Sequence, residues 1–432
     1  MKILVINTQS LNHNNATGVT LRSILRNVPC EDLAELYMQP CVRAADALPI
    51  RAVHLGAREC PIRTLANRLN KKGIESAPVT VQASGPHRTG MKRRIKERMI
   101  MSVDFEAVFL TRRIRKFLKE FSPDCIYTLG NSIDTMKYVC KVAKYCGISV
   151  LPHFMDNWQQ SHRYGSGKYP LHQKVTQKWL KKMYAHAACA LTISEKMAEV
   201  YDERWKIHHF ALMNAVDVDR FHCVQNRAAG ENVFVYAGGL HLNRYRSLAE
   251  IARAVDEQST RHPEKTYRLE IYTDEKSKAL YEPVLSVYSS VIFRPYVTHE
   301  EIMSVYERAS ALIHIESFDT ENRNFIRYSL STKISEYLAT GLPILLYAPS
   351  DIFVAEYLKG HDAAAVVSNA EDLNVVVERL TEDAPYRERI EKNAQRLAHE
   401  KHTVASAADV FSRAVKLTCE KRQTPKEGAK TN

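Results

Sequence analysis

Four polar residues at the start of a predicted helix could bind a phosphorylated nucleotide. They are Ser331, Thr332, Lys333 and Glu336, in the stretch SLSTKISEYLATGLPILLYAP from Ser329 to Pro349. A helix N-terminus disfavours a first-turn cation unless an anion is bound there, and its amides face such an anion. A glutamate one turn later could accept hydrogen bonds from ribose hydroxyls. The same residues also fit an N-cap serine with an i,i+3 ion pair between Lys333 and Glu336.

The elements around these residues predict an α/β sheet. The apolar run Pro343 to Tyr347 follows directly on a helix that should end at Gly341. Short apolar runs of this kind are typical of parallel strands, which are covered on both faces. In open α/β sheets, ligands bind at the carboxyl ends of the strands. The polar helix start is therefore expected at a ligand-binding sheet edge.

This segment resembles the C-terminal signature of retaining, nucleotide-sugar-dependent glycosyltransferases of the GT-B fold, especially the family-4 branch that builds bacterial surface polysaccharides. In that family a glutamate five residues before a glycine holds the nucleotide ribose, and Glu336 stands five residues before Gly341. The resemblance implies two Rossmann-like doubly wound domains facing a central cleft. It also implies transfer from a nucleoside-diphosphate sugar to a glycan or polyprenyl-diphosphate-linked acceptor, without a cofactor or a metal.

Alternating strand and helix patterns along the chain predict two such domains. We expect an N-terminal acceptor-side domain over 1–212 and a C-terminal donor domain over 213–404. A helix over 405–420 should pack back on the first domain, and a charged tail over 421–432 should be disordered. The predicted strands are Met1–Asn7, Arg51–Leu55, Cys125–Leu129, Ser149–Phe154, Cys189–Ile193, Asn232–Ala237, Tyr267–Tyr272, Val291–Phe293, Ala311–Ile315 and Pro343–Tyr347.

Two motifs of the first domain match the family. Gly18 closes the polar loop that we predict from Asn12 after the first strand, where the family's backbone approaches the donor diphosphate. HFMDNW, from His153, resembles the family's H-x-M-D-D-W variant. The resemblance assigns His153 to the donor sugar near the reacting carbon, and Asp156 to orienting that histidine or contacting the acceptor. From the residues alone, His153 could be structural and Asp156 could be a cap.

In the second domain, YAGGLHLNRYRSL resembles the family's first strand and glycine turn, whose basic residues grip the donor phosphates. Many members carry an arginine where this chain has Gly239, so the charge must come from Arg244 or Arg246. Both arginines could instead be solvated helix residues. Tyr296 lies at a strand end where related enzymes hold the base, mainly through main-chain contacts.

The family's acidic pair is broken in this chain. The position eight residues before Glu336 is Tyr328, where many members carry a second glutamate. Glu316, after the predicted strand ALIHI, could supply that carboxylate from a longer loop. The catalytic candidates are therefore His153, Asp156 and Lys333, and the donor site adds the glycines, arginines, Tyr296 and Glu316.

Composition excludes several classes of protein. The chain has 432 residues, 45% of them hydrophobic, which suffices for two cores. It begins with a strand, leaving no room for a secretory signal, and no apolar run could span a membrane. The nine cysteines never form a CxxC pair, so we expect reduced thiols. No cluster has metal-ligand spacing. We therefore expect a cytoplasmic protein, peripheral at the inner membrane face.

The net charge of +12 is concentrated in two segments. KRRIKER, Lys92 to Arg98, has little apolar periodicity and would suit an anionic membrane surface. The stretch from Leu110 to Phe121 has helical apolar spacing, which favours a core-packed helix with a solvated charged face. No nucleic-acid motif and no aromatics interleaved with the basic run are present, which argues against nucleic acid as the partner.

The sequence thus favours a retaining glycosyltransferase in polysaccharide, capsule or O-antigen biosynthesis. A GT-B-fold epimerase, which would need no acceptor, is the alternative enzyme. A nucleotide-sugar-binding protein without turnover is the alternative from another class, since two motif positions depart from the family.

Overall fold

The computed structural model describes residues 1–70, 102–160, 169–221, 230–298 and 301–420. They form two compact units. The first unit comprises the described residues up to Met213 and those from Ala407 onward, and the second comprises those from Asn214 to Ser406. KRRIKER and the tail after Glu420 lie outside the described residues.

The first unit is built on a seven-stranded parallel sheet of order β3-β2-β1-β4-β5-β6-β7. Its strands are β1 (Ile3–Asn7), β2 (Leu33–Tyr37), β3 (Arg51–His54), β4 (Cys125–Thr128), β5 (Ser149–Phe154), β6 (Ala190–Thr192) and β7 (His209–Ala211). Its helices are α1 (Ala16–Leu25), α2 (Pro61–Asn70), α3 (Arg112–Phe121), α4 (Ile133–Cys146), α5 (Pro170–Tyr184) and α6 (Glu195–Trp205). The central strands are buried throughout, which explains their apolar runs.

The second unit is built on a six-stranded parallel sheet of order β10-β9-β8-β11-β12-β13, the Rossmann order. Its strands are β8 (Glu231–Ala237), β9 (Thr266–Tyr272), β10 (Val291–Arg294), β11 (Ala311–Ile315), β12 (Ile344–Tyr347) and β13 (Ala365–Val367). Its helices are α7 (Arg244–Arg261), α8 (Glu275–Leu285), α9 (Ile302–Tyr306), α10 (Thr320–Ile326), α11 (Thr332–Thr340), α12 (Phe353–Gly360), α13 (Leu373–Glu382) and α14 (Ala384–Lys401). The predicted α/β class with two doubly wound sheets is confirmed.

The last helix, α15 (Val404–Glu420), contributes to the core of the first unit. Phe411 packs edge-on against Tyr127 of β4, with ring centroids 5.5 Å apart. Ala414 and Val415 are buried in the same cluster. The end of the described chain is therefore anchored by apolar contacts to the first sheet.

Three strands were not predicted, and the loop before α1 was placed wrongly. The missed strands are β2, β7 and β13. β2 carries the fully buried Glu35, which accepts hydrogen bonds from the Ser10 hydroxyl and the Leu11 amide at 2.7 and 2.5 Å. Burial raises the pKa of Glu35 to about 7, against those two hydrogen bonds. Gly18, predicted in a loop, lies in the first turn of α1.

The basic segment from Leu110 to Phe121 forms α3, as its periodicity predicts. Its apolar side chains Ile114, Phe117, Leu118 and Phe121 are buried, and its arginines and lysines are exposed. The core-packed interpretation of this helix is therefore confirmed.

The end of α11 offers a test of the fold. Gly341 ends that helix at φ +70°, and an added Cβ would lie 2.1 Å from the Gln395 side chain. Gly341→Ala should lower the free energy of unfolding of the second unit by about 1–2 kcal/mol, because an L side chain disfavours this conformation.

Gly360→Ala is the matched control. This glycine lies at the end of α12 without a positive φ, and an added Cβ would have no neighbour within 4 Å. Urea unfolding should show no loss of stability for this variant. Equal midpoints for the two variants would contradict the assignment at Gly341.

Candidate active site

Side-chain caps begin several helices at the carboxyl edges of both sheets. The caps Asn15, Ser132, Ser194 and Asp274 each accept a hydrogen bond from an amide three residues later. Ser331 caps α11, and its hydroxyl accepts from the amide of Lys333 at 3.4 Å. Each cap satisfies an amide of the first helical turn and so fixes where the helix begins at the sheet edge.

Lys333 is a half-buried cation in the first turn of α11. Within the part of the chain that the structure describes, its ammonium group forms no hydrogen bond or ion pair. Burial lowers the pKa of Lys333, and the charge of Arg244 lowers it further, while Glu336 raises it. A cation in this position, beside the positive end of a helix dipole, would be stabilised by a bound anion.

The two neighbours of Lys333 on α11 differ in exposure. Thr332 is exposed at the first helical position, whereas Glu336 is half-buried one turn further on. Glu336 is close enough to raise the pKa of Lys333 by its charge. The helix start therefore presents a hydroxyl, an ammonium and a carboxylate along one turn.

The glycine turn after β8 closes on Lys333. A Cβ added at Gly238 would lie 3.4 Å from the Lys333 Cε and 3.0 Å from the Tyr236 hydroxyl. That hydroxyl donates a hydrogen bond to the carbonyl of Gly239 at 2.8 Å. A side chain at Gly239 would lie 2.6 Å from the His241 ring. The two glycines thus let the backbone run close to the lysine.

The turn continues through two residues in the left-handed conformation. Leu242 and Asn243 have φ values of +59° and +60°, which is costly for residues other than glycine. The Asn322 amide donates to the Leu242 carbonyl at 2.8 Å, and the Asn243 amide donates to Asp319 at 2.5 Å. α7 begins at the next residue, Arg244, so this restrained loop fixes the direction in which that arginine leaves the backbone.

Arg244 binds Glu316, which follows β11. The guanidinium donates to both carboxylate oxygens at 2.7–3.0 Å, and both side chains are largely buried. The His314 ring lies 3.2 Å from Glu316 Oε1. Burial alone would raise the pKa of Glu316, but Arg244 and His314 outweigh it and lower that pKa to about 2. Glu316 is therefore ionised and holds Arg244 in place.

The other two donor candidates are more exposed. Arg246 has a 64% exposed side chain, 3.7 Å from Asp319, and lines a cavity of about 440 Å³ beside α7 and the ends of β11–β13. Neither Lys333 nor Glu316 lines this cavity. Tyr296 is 64% exposed after β10. Neither side chain is placed beside Lys333 by any contact of the described residues.

His153 is fully buried at the end of β5. Its Nδ1 lies 2.7 Å from the Tyr127 hydroxyl of β4. Its Nε2 has no hydrogen-bond partner among the described residues. Burial lowers the pKa of His153 to about 3, so the ring is neutral and can donate or accept one hydrogen bond through Nε2.

The other first-unit candidates follow β5 and β1, which are separated by β4 in the same sheet. Asp156 is half-buried in the bend that follows β5. Gly18 donates its amide to the Asn15 side chain at 2.9 Å, and a Cβ there would lie 2.0 Å from the His13 carbonyl oxygen. The glycine is required because the loop after β1 crosses directly over the start of α1.

Within the second unit, Gly239, Arg244, Glu316, Ser331 and Lys333 surround the switch point between β8 and β11. The sequence did not single out Tyr236, which hydrogen-bonds the Gly239 carbonyl, or Tyr127, which hydrogen-bonds His153 in the first unit. A signal for Tyr127 existed: β4 and β5 pair Tyr127 with Leu151, which places His153, two residues on, on the same face of the sheet. That signal required the strand register, which only the structure provides.

Comparison with known proteins bears on the fold and on the second unit. Residues 246–412, which include α11 and Glu316, match a sequence family described as glycosyl transferase-like. The structure resembles Anabaena HepE in complex with UDP and glucose, with a TM-score of 0.60 at 12% identity, covering 96% of this chain and 99% of that one. The chain has the GT-B fold.

Two further solved structures share the GT-B fold. Sucrose-phosphate synthase from Thermosynechococcus elongatus gives a TM-score of 0.61 at 11% identity, covering 96% of this chain and 98% of that one. An α,α-trehalose-phosphate synthase (UDP-forming) from Burkholderia vietnamiensis gives 0.58 at 10% identity, covering 96% and 100%. No curated protein sequence matches the chain. At these identities, the likeness establishes the fold.

The described residues contain neither a metal-binding cluster nor a membrane-spanning helix. No group of three or more histidine, cysteine, aspartate or glutamate side chains there could hold a metal ion. Among the helices of the described ranges, none has the length and apolar character needed to cross a membrane.

The Glu316 pair gives a stability prediction. Glu316→Gln should lower the free energy of unfolding of the second unit by about 3 kcal/mol, because it leaves the Arg244 charge without its buried partner. Since the pKa of Glu316 is lowered, the pair stabilises the fold above about pH 4.5, and that stabilisation is lost as pH falls towards about 2. Urea titration at pH 7 measures the effect.

Glu388→Gln, on the exposed face of α14, is the control. A similarly small change in the free energy of unfolding for both variants would refute the structural role of Glu316.

The buried imidazole gives a spectroscopic prediction. With its pKa lowered to about 3, His153 should stay neutral from about pH 8 to about pH 5, and its contribution to stability is lost only as pH falls from about 6.5 towards 3. Histidine-selective NMR titration measures this, with His153→Gln identifying the signal. A ring that takes up a proton between pH 8 and pH 5 would contradict the assigned environment.

Proposed function

We propose that the protein is an enzyme that transfers a sugar from a nucleoside-diphosphate sugar to an acceptor, with retention at the anomeric carbon. The observation that supports this most is the Lys333 ammonium at the start of α11, which has no partner among the described residues. It lies in the glycosyl transferase-like region, beside a glycine turn that admits a close ligand. A diphosphate has the charge and size that this position favours.

The donor chemistry follows from the charges. Breaking the glycosidic bond develops negative charge on the diphosphate, which preorganised donors must stabilise. Lys333 and the amides near Ser331 provide that stabilisation. Arg244, fixed by Glu316, adds a positive field at the same edge. We propose that no metal ion and no side-chain nucleophile are needed, and that the leaving phosphate assists removal of the acceptor proton.

The remaining candidates have roles in the same scheme. Glu336 binds the ribose hydroxyls, and the backbone near Tyr296 holds the base. His153 donates a hydrogen bond from its buried ring to the donor sugar, and Asp156 orients the acceptor. The solved structures of HepE contain UDP, glucose or UDP-glucose, which makes uridine the first base to test here.

We further propose that the acceptor is a glycan carried on a polyprenyl diphosphate, used in surface polysaccharide synthesis at the cytoplasmic membrane face. An epimerase of the same fold would instead release a new nucleotide sugar without any acceptor. A binding protein without turnover would bind the donor and release nothing. Incubation with UDP-glucose and other donors, with and without lipid-linked glycans, distinguishes the three functions by the products formed.

The donor site is tested by replacing Lys333. Lys333→Ala should weaken binding of the nucleoside-diphosphate sugar by about 10- to 150-fold, because a charged hydrogen bond contributes about 1.5–3 kcal/mol. Thermal shift against a panel of nucleoside diphosphates and their sugars measures this, with magnesium and with EDTA. The shift should be selective for one base and independent of magnesium.

Lys359→Ala, an exposed lysine on α12, is the matched control and should bind like the wild type. Unchanged donor binding and turnover in Lys333→Ala would exclude the phosphate role. A shift that requires magnesium would exclude the metal-independent scheme.

A further inference from the structure

We propose that the exposed surface of α3, α4 and α5 in the first unit is a docking face for an anionic lipid bilayer. We call this surface the basic face. The inference deepens the proposed function, on which it rests for a lipid-linked acceptor. All the side chains of the basic face are described residues, and KRRIKER is not among them.

The basic face is unusual in its charge. The three helices carry twelve lysines and arginines and two carboxylates. One carboxylate, Asp134, is buried and bound by Arg63 at 2.7 and 2.8 Å. The other, Glu120, pairs with Arg51 at 3.0 Å. Arg113 pairs with Glu59 at 3.2 Å, Lys116 lies 3.8 Å from Glu120, and Lys137 and Lys141 donate to main-chain carbonyls. The other lysines and arginines of the three helices are exposed, and their charge is available to an anionic partner.

The three helices form one continuous surface. The Arg115 guanidinium of α3 lies 5.8 Å from the centre of the Tyr145 ring of α4. The Lys137 ammonium of α4 lies 5.9 Å from the centre of the Trp179 ring of α5, and that of Lys182 lies 4.3 Å from the same ring. The cations are thus spread over three adjacent helices, as a flat anionic surface requires.

Apolar side chains are exposed on α5 and in the segment that precedes α3, next to the basic face. Phe105, Phe109 and Leu171 are exposed by 45%, 47% and 60%. Phe109 lies beside Lys141, whose ammonium is 5.5 Å from the ring centre, and the Phe105 ring contacts that of His172, next to Leu171. Apolar side chains surrounded by lysines are the pattern of interfacial membrane binding, in which rings enter the headgroup region and cations contact phosphates.

Exposed apolar residues alone would not carry this inference, since they are normal on protein surfaces. α8 in the second unit also exposes Leu280 and Val284, but it carries two glutamates against two lysines. Of these two surfaces, the basic face and α8, the basic face alone combines exposed apolar side chains with unbalanced positive charge. Leu171, the most exposed of the three, can neither hydrogen-bond a base edge nor stack on a base, which favours a bilayer over nucleic acid.

The test is flotation of the full chain with vesicles of phosphatidylglycerol and phosphatidylcholine in equal parts, or of phosphatidylcholine alone, without nucleotide. The charge variant combines Lys119→Gln, Lys144→Gln, Lys178→Gln and Lys181→Gln, four exposed lysines. The control combines Arg253→Gln, Lys359→Gln, Lys392→Gln and Arg396→Gln, which remove the same charge from the second unit. Each lysine near an anionic surface strengthens binding roughly fivefold, so the charge variant should bind at least about tenfold more weakly, and the control should not.

A second double variant, Phe109→Ser with Leu171→Ser, tests the apolar side chains. Its control is the double variant Leu280→Ser with Val284→Ser on α8. The first pair should weaken vesicle binding severalfold and the second should not. Equal binding to both lipid compositions, or equal loss in the charge variant and its control, would overturn the proposal. Binding to an oligonucleotide but not to vesicles would assign the basic face to nucleic acid instead. Because donor thermal shifts are measured without lipid, failure here is distinguishable from failure of the proposed function.

Discussion

The buried ion pair between Arg244 and Glu316 is the constraint on which the second unit's site depends. It joins the first residue of α7 to the loop after β11, across adjacent strands β8 and β11. A buried pair offsets its desolvation only when geometry and further hydrogen bonds are good. Here both carboxylate oxygens accept from Arg244, and His314 adds a third contact. The pair thus locks the glycine turn relative to the strand end.

This pairing separates the roles of two neighbouring cations. Arg244 is restrained at both ends, by the left-handed loop before it and by Glu316 beyond it. Lys333 has no such partner in the described chain. A fixed charge shapes the field of a site, whereas an unpaired charge next to helix amides is stabilised by its ligand. A buried, ionised carboxylate, Glu316, is therefore present in the second unit, although a tyrosine, Tyr328, stands eight residues before Glu336.

The first unit uses burial in the opposite way. Where the second unit keeps Glu316 ionised by pairing it, the first unit keeps His153 neutral by enclosing it beside Tyr127. A neutral imidazole provides directed hydrogen bonding through Nε2 without a buried charge. Among the described residues of this unit, α3 to α5 carry an excess of exposed positive charge.

Most strands of both sheets could be predicted from the sequence, since parallel strands buried on both faces have apolar runs. The exceptions have physical causes. β2 contains a buried glutamate, whose hydrogen bonds to Ser10 and Leu11 come from a distant loop. β7 and β13 have three residues each, too few for a periodic pattern. β6 is equally short, but it lies within the recognisable apolar run Cys189 to Ile193. Gly18 is in a helix although its polar neighbours predict a loop, because the Asn15 side chain caps α1 and so starts the helix within the polar stretch.

The sequence by itself determined the α/β class, two doubly wound sheets and the helix that carries Lys333, because local periodicity, caps and glycines encode these features. Only the tertiary structure decided that Arg244 binds Glu316, 72 residues away, and that Tyr127 binds His153. Both contacts depend on which strands are neighbours and in what register they pair. Spacing along the chain contains no information about that register, since it is set by packing of the whole sheet.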